Sequence, residues 1–286
     1  MSTLRTSRRI VATTIAAASL TAPFWALTAS ATGDDDSNVI VESTGDQTNA
    51  ITLPPPAAVG QTATSVTTFD LAITAEGVDV VLSLRLDMTT EVTELTDDGG
   101  YVAVATIDQV ELTEAPSGVD VSALGYDALG GAQFRQTFDA SGKSMSTDLL
   151  NADELSDAAR TAAEGFTGNL QSAQFVYPDE PVGVGARWTA DLEIESEGFA
   201  IPTTYTYEIT GITAGRYTIA VSYESAFDTT IEGQPASGDV TGLGTVDGSV
   251  DNPLDLSITL GQTIDATSGD IDMNVVIGID VAATVP

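Results

Sequence analysis

Two residue types that carry much of enzyme chemistry, histidine and cysteine, do not occur among the 286 residues. Without them the chain has no Ser-His-Asp triad, no imidazole ligand for zinc or haem, no thiol nucleophile and no disulfide. The remaining candidates are the carboxylates of 42 Asp and Glu residues. A glycosidase needs two of them about 5 to 9.5 Å apart in a cleft, and no pair stands out. A carboxylate-only hydrolase is therefore the least favoured function, and we expect no catalytic residue and no cofactor.

One acidic run has part of the spacing of a calcium loop. Asp34, Asp36 and Asn38 fall at the first three ligand positions of an EF-hand. However, Val39 stands where the turn glycine belongs, and Gly45 stands where the bidentate glutamate belongs. The run is better explained as a solvated linker, and we predict no metal site.

The stretch YPDEPVGVGARW, residues 177–188, raises the question of a phosphate-binding loop. A dinucleotide loop needs G-x-G-x-x-G between a strand and a helix, and this stretch lacks the third glycine, precedes a strand-like segment and carries no Walker lysine. Gly242-x-Gly244 fails the same test and is interpreted as a bulge or turn. We interpret the first stretch as a structural joint made of Pro178, Pro181, Gly183, Gly185 and Trp188.

Aromatic side chains are the remaining candidates for ligand binding. They recur at alternate positions of two strand-like segments, so they share one face. Such a face could line a site for an apolar ligand, or it could be ordinary core, which is the commoner role of aromatic residues on strands. The candidate ligand-binding residues are Tyr205, Tyr207, Tyr217, Tyr223 and Phe227, together with Phe166 and Leu170 of a predicted helix.

The elements that must position these side chains are mostly strands. Apolar residues alternate with acidic, Thr or Ser residues at a period of two, which predicts an antiparallel sheet with one buried and one solvated face. Eleven such residues span roughly 36 Å at about 3.3 Å each, a length that suits a curved sheet or half-barrel. The turn sequences Asp139–Gly142 and Asp97–Gly100 fall between strands. The clearest alternation covers residues 79–88, 188–195, 204–209, 217–224 and 271–281.

One segment has helical periodicity instead. Within residues 151–174 the apolar side chains recur every three or four positions, and Asn151 with Glu154 has the spacing of a capping box. We predict an amphipathic helix that packs on the open face of the sheet. Its apolar stripe consists of Leu155, Ala159, Ala162, Phe166 and Leu170.

Two similar patterns flank this helix. Residues 91–96, a glycine turn and residues 101–105 align with residues 208–213, a shorter glycine turn and residues 217–221. We interpret them as two related antiparallel meanders. The sequence leaves open whether the meanders form two lobes or continue one sheet.

The N-terminus has the features of a secretory signal peptide over residues 1–31. A basic leader precedes an apolar stretch, and Ala29-Ser30-Ala31 fits an A-x-A cleavage site. The pair Arg8-Arg9 also fits a twin-arginine signal, so both the Sec and the twin-arginine routes stay open. Residues 32–60 are rich in acidic and small polar residues and end near three prolines, which predicts a flexible tether. We expect an extracytoplasmic protein, secreted or in the cell envelope, with no integral membrane span.

The charge balance limits the class of partner. Three of the 9 basic residues lie in the predicted leader, which leaves 6 against 42 acids and a net charge of −36. Such a field repels nucleic acid, since phosphate binding depends on Lys and Arg. The excess of acids serves solubility or adaptation to salt, which would screen the self-repulsion.

The joint residues carry a resemblance to a known group of proteins. Pro178-x-x-Pro181-Val-Gly-Val-Gly-x-x-Trp188, with the segments that follow it, resembles an actinobacterial-type family of exported proteins of unknown function. Many of those proteins are lipoproteins, but this chain lacks the anchor cysteine. The expected layout is also similar in outline to lipoprotein carriers and mycobacterial lipid-binding half-barrels, a likeness of architecture that does not transfer function.

These observations predict a mainly β protein made of two related meanders with one helix on the sheet. The predicted segments are the signal peptide 1–31, the tether 32–60, a first meander 61–150, the helix and connector 151–176, and a second meander 177–286, with 61–286 as one structural unit. The favoured function is a non-enzymatic envelope protein that binds a lipid or another apolar ligand. The alternative is an envelope interaction module that binds a protein and no small ligand.

Overall fold

The fold is mainly β. The structure is a computed structural model, and it describes residues 29–30, 39–115, 126–172, 175–196, 199–231, 234–269 and 271–286. Within these ranges the chain forms one α-helix, α1, which covers Asp157–Ser172. The strands are β1 Ala29–Ser30, β2 Val39–Ser43, β3 Asp46–Ile51, β4 Thr62–Ala75, β5 Val78–Leu95, β6 Tyr101–Glu114, β7 Gln133–Phe138, β8 Ser144–Leu149, β9 Val182–Val184, β10 Arg187–Ser196, β11 Phe199–Thr213, β12 Arg216–Ile231, β13 Gln234–Ser249, β14 Leu256–Ser268 and β15 Ile271–Thr284.

Most of the strands belong to a single open sheet in which all neighbours are antiparallel. The order is β1-β10-β11-β12-β13-β14-β15-β4-β5-β6-β7-β8, and β2 also pairs with β10. β3 and β9 form a separate two-stranded sheet. The sheet therefore contains two meanders, β4 to β8 and β10 to β15, which are joined where β15 pairs with β4. The predicted fold class is confirmed, and the two halves share one sheet.

The alternation that predicted the strands is seen in their burial. On β5 the inner residues Val80, Leu82, Leu84 and Leu86 are 0–9% exposed, whereas Asp79 faces solvent. The longest strand, β5, has 18 residues. Strands of this length carry one apolar and one polar face, so the apolar face must be covered.

Two coverings account for most of the inner face. β9, the residues just before it and Leu53 pack on β10 to β13 in a cluster that includes Trp188, Tyr207 and Ile219. At the other end of the sheet, α1 places Ala163 against Phe134 and neighbouring residues of β5, β6 and β7. The helix therefore packs on the sheet, as predicted; it lies mainly on the end that contains β7 and β8, and it also contacts β1.

The start of the helix differs from the prediction. A 3-10 turn at Ala152–Glu154 precedes α1, and the cap is Ser156, whose Oγ accepts a hydrogen bond from Ala159 N at 3.2 Å. Asn151 makes no capping bond; its side chain accepts from Gln133 N at 3.0 Å and donates to Gly131 O at 2.9 Å. The predicted capping box is wrong because this amide ties the helix approach to the start of β7.

The predicted tether, residues 32–60, is also different where the structure describes it, from residue 39 onward. β2 pairs with the outer edge of β10, β3 pairs with β9, and Leu53 is 3% exposed in the core. These packed residues were not recognised because β2 has only five residues and β3 is mostly polar, so neither segment shows a clear hydrophobic period. The acidic run with Asp34 and Asp36 lies outside the described residues.

The two aligned patterns form similar hairpins, β5–β6 and β11–β12. Each has a register shift at the aligned position, between Val92 and Glu94 in one and between Ile209 and Gly211 in the other. In each bulge a threonine donates a 3.3 Å hydrogen bond across the hairpin: Thr93 to Val102 O and Thr210 to Thr218 O.

The turn that leads into each meander is similar too. Gly60 and Gly185 have φ angles of 86° and 81°, a region that favours glycine. Gly60 N donates to Val92 O at 2.9 Å, and Gly185 N donates to Ile209 O at 2.8 Å. The two meanders thus share a bulge and a turn, and the internal repeat stays a prediction.

Candidate functional site

The predicted ligand-lining residues lie on the inner face of two neighbouring strands. Tyr205 and Tyr207 belong to β11, and Tyr217, Tyr223 and Phe227 belong to β12. The four tyrosines are 2–6% exposed, and Phe227 is partly buried. Phe166 and Leu170 fall within α1, but their side chains lie outside what the structure describes. The structure thus brings the five strand residues together. For the two helix residues, ligand binding stays a prediction.

The aromatic rings fill this part of the inner face by stacking on one another. The rings of Trp188 and Tyr207 are parallel within 10°, with centroids 5.3 Å apart. Tyr205 lies 4.5 Å from Tyr223 and 6.3 Å from Tyr207, measured between ring centroids. The Tyr205 and Tyr223 rings are tilted by 38° and the other two pairs are stacked, so all of these rings pack directly against one another. They do not present a free apolar surface to a ligand.

Glycines on the next strand give the aromatic rings of β12 their space. Tyr223 is paired with Gly242, and a Cβ on that glycine would overlap Cζ and Cε1 of the tyrosine ring. The same relation holds for Tyr217 and Gly248. At Gly238 a Cβ would overlap the carbonyl oxygen of Asp265 and would also lie 2.9 Å from Cζ of Phe227. The rings therefore lie over the neighbouring backbone, which only a strand with glycine at these positions allows.

This arrangement corrects the prediction for Gly242 and Gly244. The ladder from β12 through β13 to β14 runs without a register shift, so neither glycine forms a bulge or a turn. The sequence contained a signal that was missed. The aromatic residues at 217, 223 and 227 and the glycines at 238, 242 and 248 have mirrored spacings of six and four residues, which is the pattern of an antiparallel pair.

Three buried polar side chains lie in one cross-strand row of this face. Tyr205 pairs with Tyr223, Tyr223 with Gly242 and Gly242 with Gln262. Burial raises the pKa of Tyr205 well above its usual value, and the neighbouring Tyr223 adds to the rise. Neither hydroxyl, nor the side-chain amide of Gln262, makes a hydrogen bond of normal geometry with the described residues. Burying these polar atoms without hydrogen bonds therefore lowers the stability of the fold.

The predicted joint lies where the small sheet meets the large one. A Cβ on Gly183 would overlap the carbonyl oxygen of Asp46, so β9 passes β3 at a distance that only glycine allows. Trp188 is fully buried, and its Nε1 donates a 2.9 Å hydrogen bond to Val176 O. Pro178 is buried just before this contact, and Pro181 is exposed at the start of β9. These contacts are structural, with backbone and side chains of the same chain.

One cleft lies at the hairpin end of the sheet and has a volume of about 710 Å³. Phe227, Ala266 and Met273 supply its apolar part, and Asp239 and Asp265 are among its acidic lining residues. A second cleft of about 420 Å³ includes Leu53, Tyr177 and three aspartates. Among the described residues, no group of three or more Asp or Glu side chains is arranged to hold a metal ion.

The comparisons with known proteins point to the second half of the chain. Residues 153–253 match the model of a family of unknown function, DUF6263. This segment contains α1 and most of the strands that carry the aromatic residues. The signature and the bacterial group inferred from the joint stay predictions.

Other comparisons give little more. No curated protein matches the chain. One solved structure, an outer membrane channel from Pseudomonas putida F1, aligns over 84% of this chain and 99% of its own, at 11% identity and a TM-score of 0.17. A similarity at that TM-score supports no inference. Among the described residues, no helix has the length and apolar character needed to cross a membrane.

Proposed function

We propose that this chain is an exported, non-enzymatic protein of the cell envelope that works through protein contacts on the surface of its sheet. The observation that carries the proposal is the filled inner face. Tyr205, Tyr207, Tyr217 and Tyr223 are 2–6% exposed, and the β13 glycines fit closely against the rings of β12. The protein's own side chains thus occupy the space that a carrier would leave for a ligand, while the outer face is solvated.

Export is supported by the basic leader, the apolar stretch and the A-x-A site at residues 29–31. A non-enzymatic role is supported by the lack of histidine and cysteine in the chain and by the nature of its clefts. The clefts combine carboxylates with Thr, Ser and apolar side chains, and the hydroxyl groups have no histidine to activate them as nucleophiles.

A second candidate is a protein that binds a lipid or another apolar ligand. The cleft beside Phe227 favours it, because about 710 Å³ lies within the range of about 300–1,000 Å³ that ligand sites occupy. Phe227, Ala266 and Met273 would contact the apolar part of the ligand. Of the predicted lining residues whose side chains the structure describes, Phe227 is the one that reaches this cleft.

The two candidates are separated by analysing protein purified from its own host. Native mass spectrometry before and after organic extraction should show the polypeptide with no additional bound mass, and a fluorescent fatty-acid titration should show no binding of the probe. A photo-crosslinker in place of Thr245, which faces solvent on β13, should yield discrete protein adducts in envelope fractions. A stoichiometric lipid that is lost on extraction, with probe binding abolished by Phe227→Ala, would instead establish the second candidate.

A further inference from the structure

The outer face of the sheet carries a group of exposed aliphatic side chains amid Gly, Thr and Asp residues. Leu243 is 70% exposed, Val276 is 44% exposed and Val81 is 36% exposed. They lie in two adjacent cross-strand rows: one runs through Leu243, Gly261, Gly278 and the carboxylate Asp70, and the other runs through Thr263, Val276, Ala72 and Val81. We call six of these residues the outer patch: Ala72, Val81, Leu243, Gly261, Val276 and Gly278.

The two glycines of the outer patch are not required by the fold. A Cβ on Gly278 would approach nothing closer than Asp70 Cβ at 3.7 Å, and a Cβ on Gly261 would meet only Leu243 O at 4.0 Å. Neither glycine has a positive φ. They are paired with each other in mid-strand, where glycine costs about 0.5–1 kcal/mol relative to alanine. The β13 glycines differ, because they give space to aromatic rings. Gly261 and Gly278 instead leave the backbone uncovered between the aliphatic side chains.

Carboxylates flank the outer patch along both sides. The row towards the hairpin end contains Asp239, Asp265 and Asp79, and the row on the other side contains Asp280. Asp265 accepts from Asn274 at 2.7 Å, and Asp280 accepts from Thr259 at 2.8 Å. These donors are neutral, so they hold the carboxylates in place without cancelling their charge.

The balance of charge around the outer patch is negative. The nearby Arg85 lies in the same row as Asp280, but it forms an ion pair with Asp87 at 3.0 Å. No described basic side chain forms an ion pair with the four flanking carboxylates, Asp79, Asp239, Asp265 and Asp280. A ligand that places cations on this rim would therefore gain charge complementarity.

We propose that the outer patch binds an extended peptide segment of a partner protein, with aliphatic side chains at its centre and Lys or Arg residues on either side. Aliphatic side chains would contact Leu243, Val276 and Val81, and the bare backbone at Gly261 and Gly278 allows the segment to approach closely. The patch crosses five strands, or about 19 Å at 4.8 Å per strand spacing. An extended segment of about six residues has that length. The inference names the partner class for the proposed function and rests on it.

Charge argues against the other occupants of such a surface. A second copy of this chain would bring the same carboxylates to the interface, since the full chain has a net charge of −33. An anionic membrane surface would be repelled for the same reason. A basic peptide is the occupant for which both the apolar centre and the acidic rim are favourable.

The test is selection from a displayed library of random peptides on the wild-type protein at physiological salt. Peptides with an aliphatic centre and flanking Lys or Arg should be enriched. Gly278→Thr adds a side chain to the middle of the patch without changing charge, and it should weaken binding of the selected peptides at least tenfold without lowering the melting temperature. Gly211→Thr is the matched control, because Gly211 is a β11 glycine with nothing within 4 Å of its Cβ position, and it should leave binding unchanged.

Each other outcome overturns the inference in a recognisable way. If the selected peptides bind Gly278→Thr as tightly as wild type, their binding site is not the outer patch. The inference is then wrong, but the proposed function is unaffected. Enrichment of no peptide above background refutes the partner class. Sedimentation that shows a wild-type dimer and a monomeric Gly278→Thr protein would assign the patch to a second copy. Only a co-purified lipid, found by the separate extraction experiment, would also displace the proposed function.

Discussion

The contact between Tyr223 and Gly242 gives the most direct test of how the inner face is packed. In Gly242→Ala the added methyl group would overlap Cζ and Cε1 of Tyr223 and lie 2.5 Å from its hydroxyl oxygen. The ring cannot simply withdraw, because its centroid is already 4.5 Å from that of Tyr205. Either the surrounding side chains shift and the core becomes overpacked, or the Tyr223 ring moves out of the core.

Both routes are costly, and the cost can be bounded. Overpacking a well-packed core costs about 1–3 kcal/mol. Moving the tyrosine ring into water would expose on the order of 150 Å² at about 25 cal/mol per Å², or about 4 kcal/mol. We therefore expect Gly242→Ala to lower the free energy of unfolding by about 2–4 kcal/mol. In a domain of this size that is a fall in melting temperature of roughly 5–15 °C.

The matched control is Gly261→Ala on the neighbouring strand. Its Cβ would point to the open outer face and meet only Leu243 O at 4.0 Å, so it should stabilise the protein by about 0.5–1 kcal/mol. Urea denaturation followed by circular dichroism measures both variants. In the Tyr223→Ala background, Gly242→Ala should lose most of its cost, because the two changes remove the same contact. A Gly242→Ala protein as stable as wild type would refute the proposed packing.

Three further predictions concern other parts of the fold. Trp188→Phe removes the 2.9 Å hydrogen bond to Val176 O and part of a buried ring, so it should cost about 2–4 kcal/mol by urea denaturation. Burial raises the pKa of Tyr101 to about 12 and also raises the pKa of Tyr205, so the folded state holds protons that the unfolded state releases near pH 10. These tyrosines should leave stability unchanged between neutral pH and pH 10 and lower it above that pH, and tyrosinate absorbance should rise together with unfolding; titration at the ordinary pKa before unfolding would contradict this. The net charge of −33 should make the melting temperature rise from low to molar NaCl in circular dichroism, and a flat profile would exclude a contribution from screening.

The strands could be predicted wherever large side chains supplied the period of two. β5, β10, β12 and β15 were recognised because aliphatic or aromatic residues occupy their inner positions. β13 was not recognised, because glycines occupy several of its inner positions and have no side chain to show the period. The information was present as mirrored spacing between two strands, which a search for periodicity within one segment does not detect.

The candidate site could be predicted in part. The alternation correctly placed Tyr205, Tyr207, Tyr217 and Tyr223 on one face. Whether those rings bind a ligand or pack on one another depends on what lies across from them, and that depends on the register between β12 and β13. A one-residue change of register would move the glycines to the opposite face. The composition of a strand therefore shows which face is aromatic. The neighbouring strands determine whether that face binds a ligand or forms part of the core.

The outer face shows how a protein with few cations keeps its carboxylates ordered. Asp191, Asp247 and Asp280 each accept a hydrogen bond from a threonine on an adjacent strand, at 2.5–2.8 Å. A threonine hydroxyl satisfies one carboxylate lone pair and fixes the side chain, but it leaves the full negative charge in place. Lysine or arginine partners would have removed that charge. The same cross-strand pairs that organise this face therefore keep its potential negative, so that salt should stabilise the fold and cationic segments should be its preferred partners.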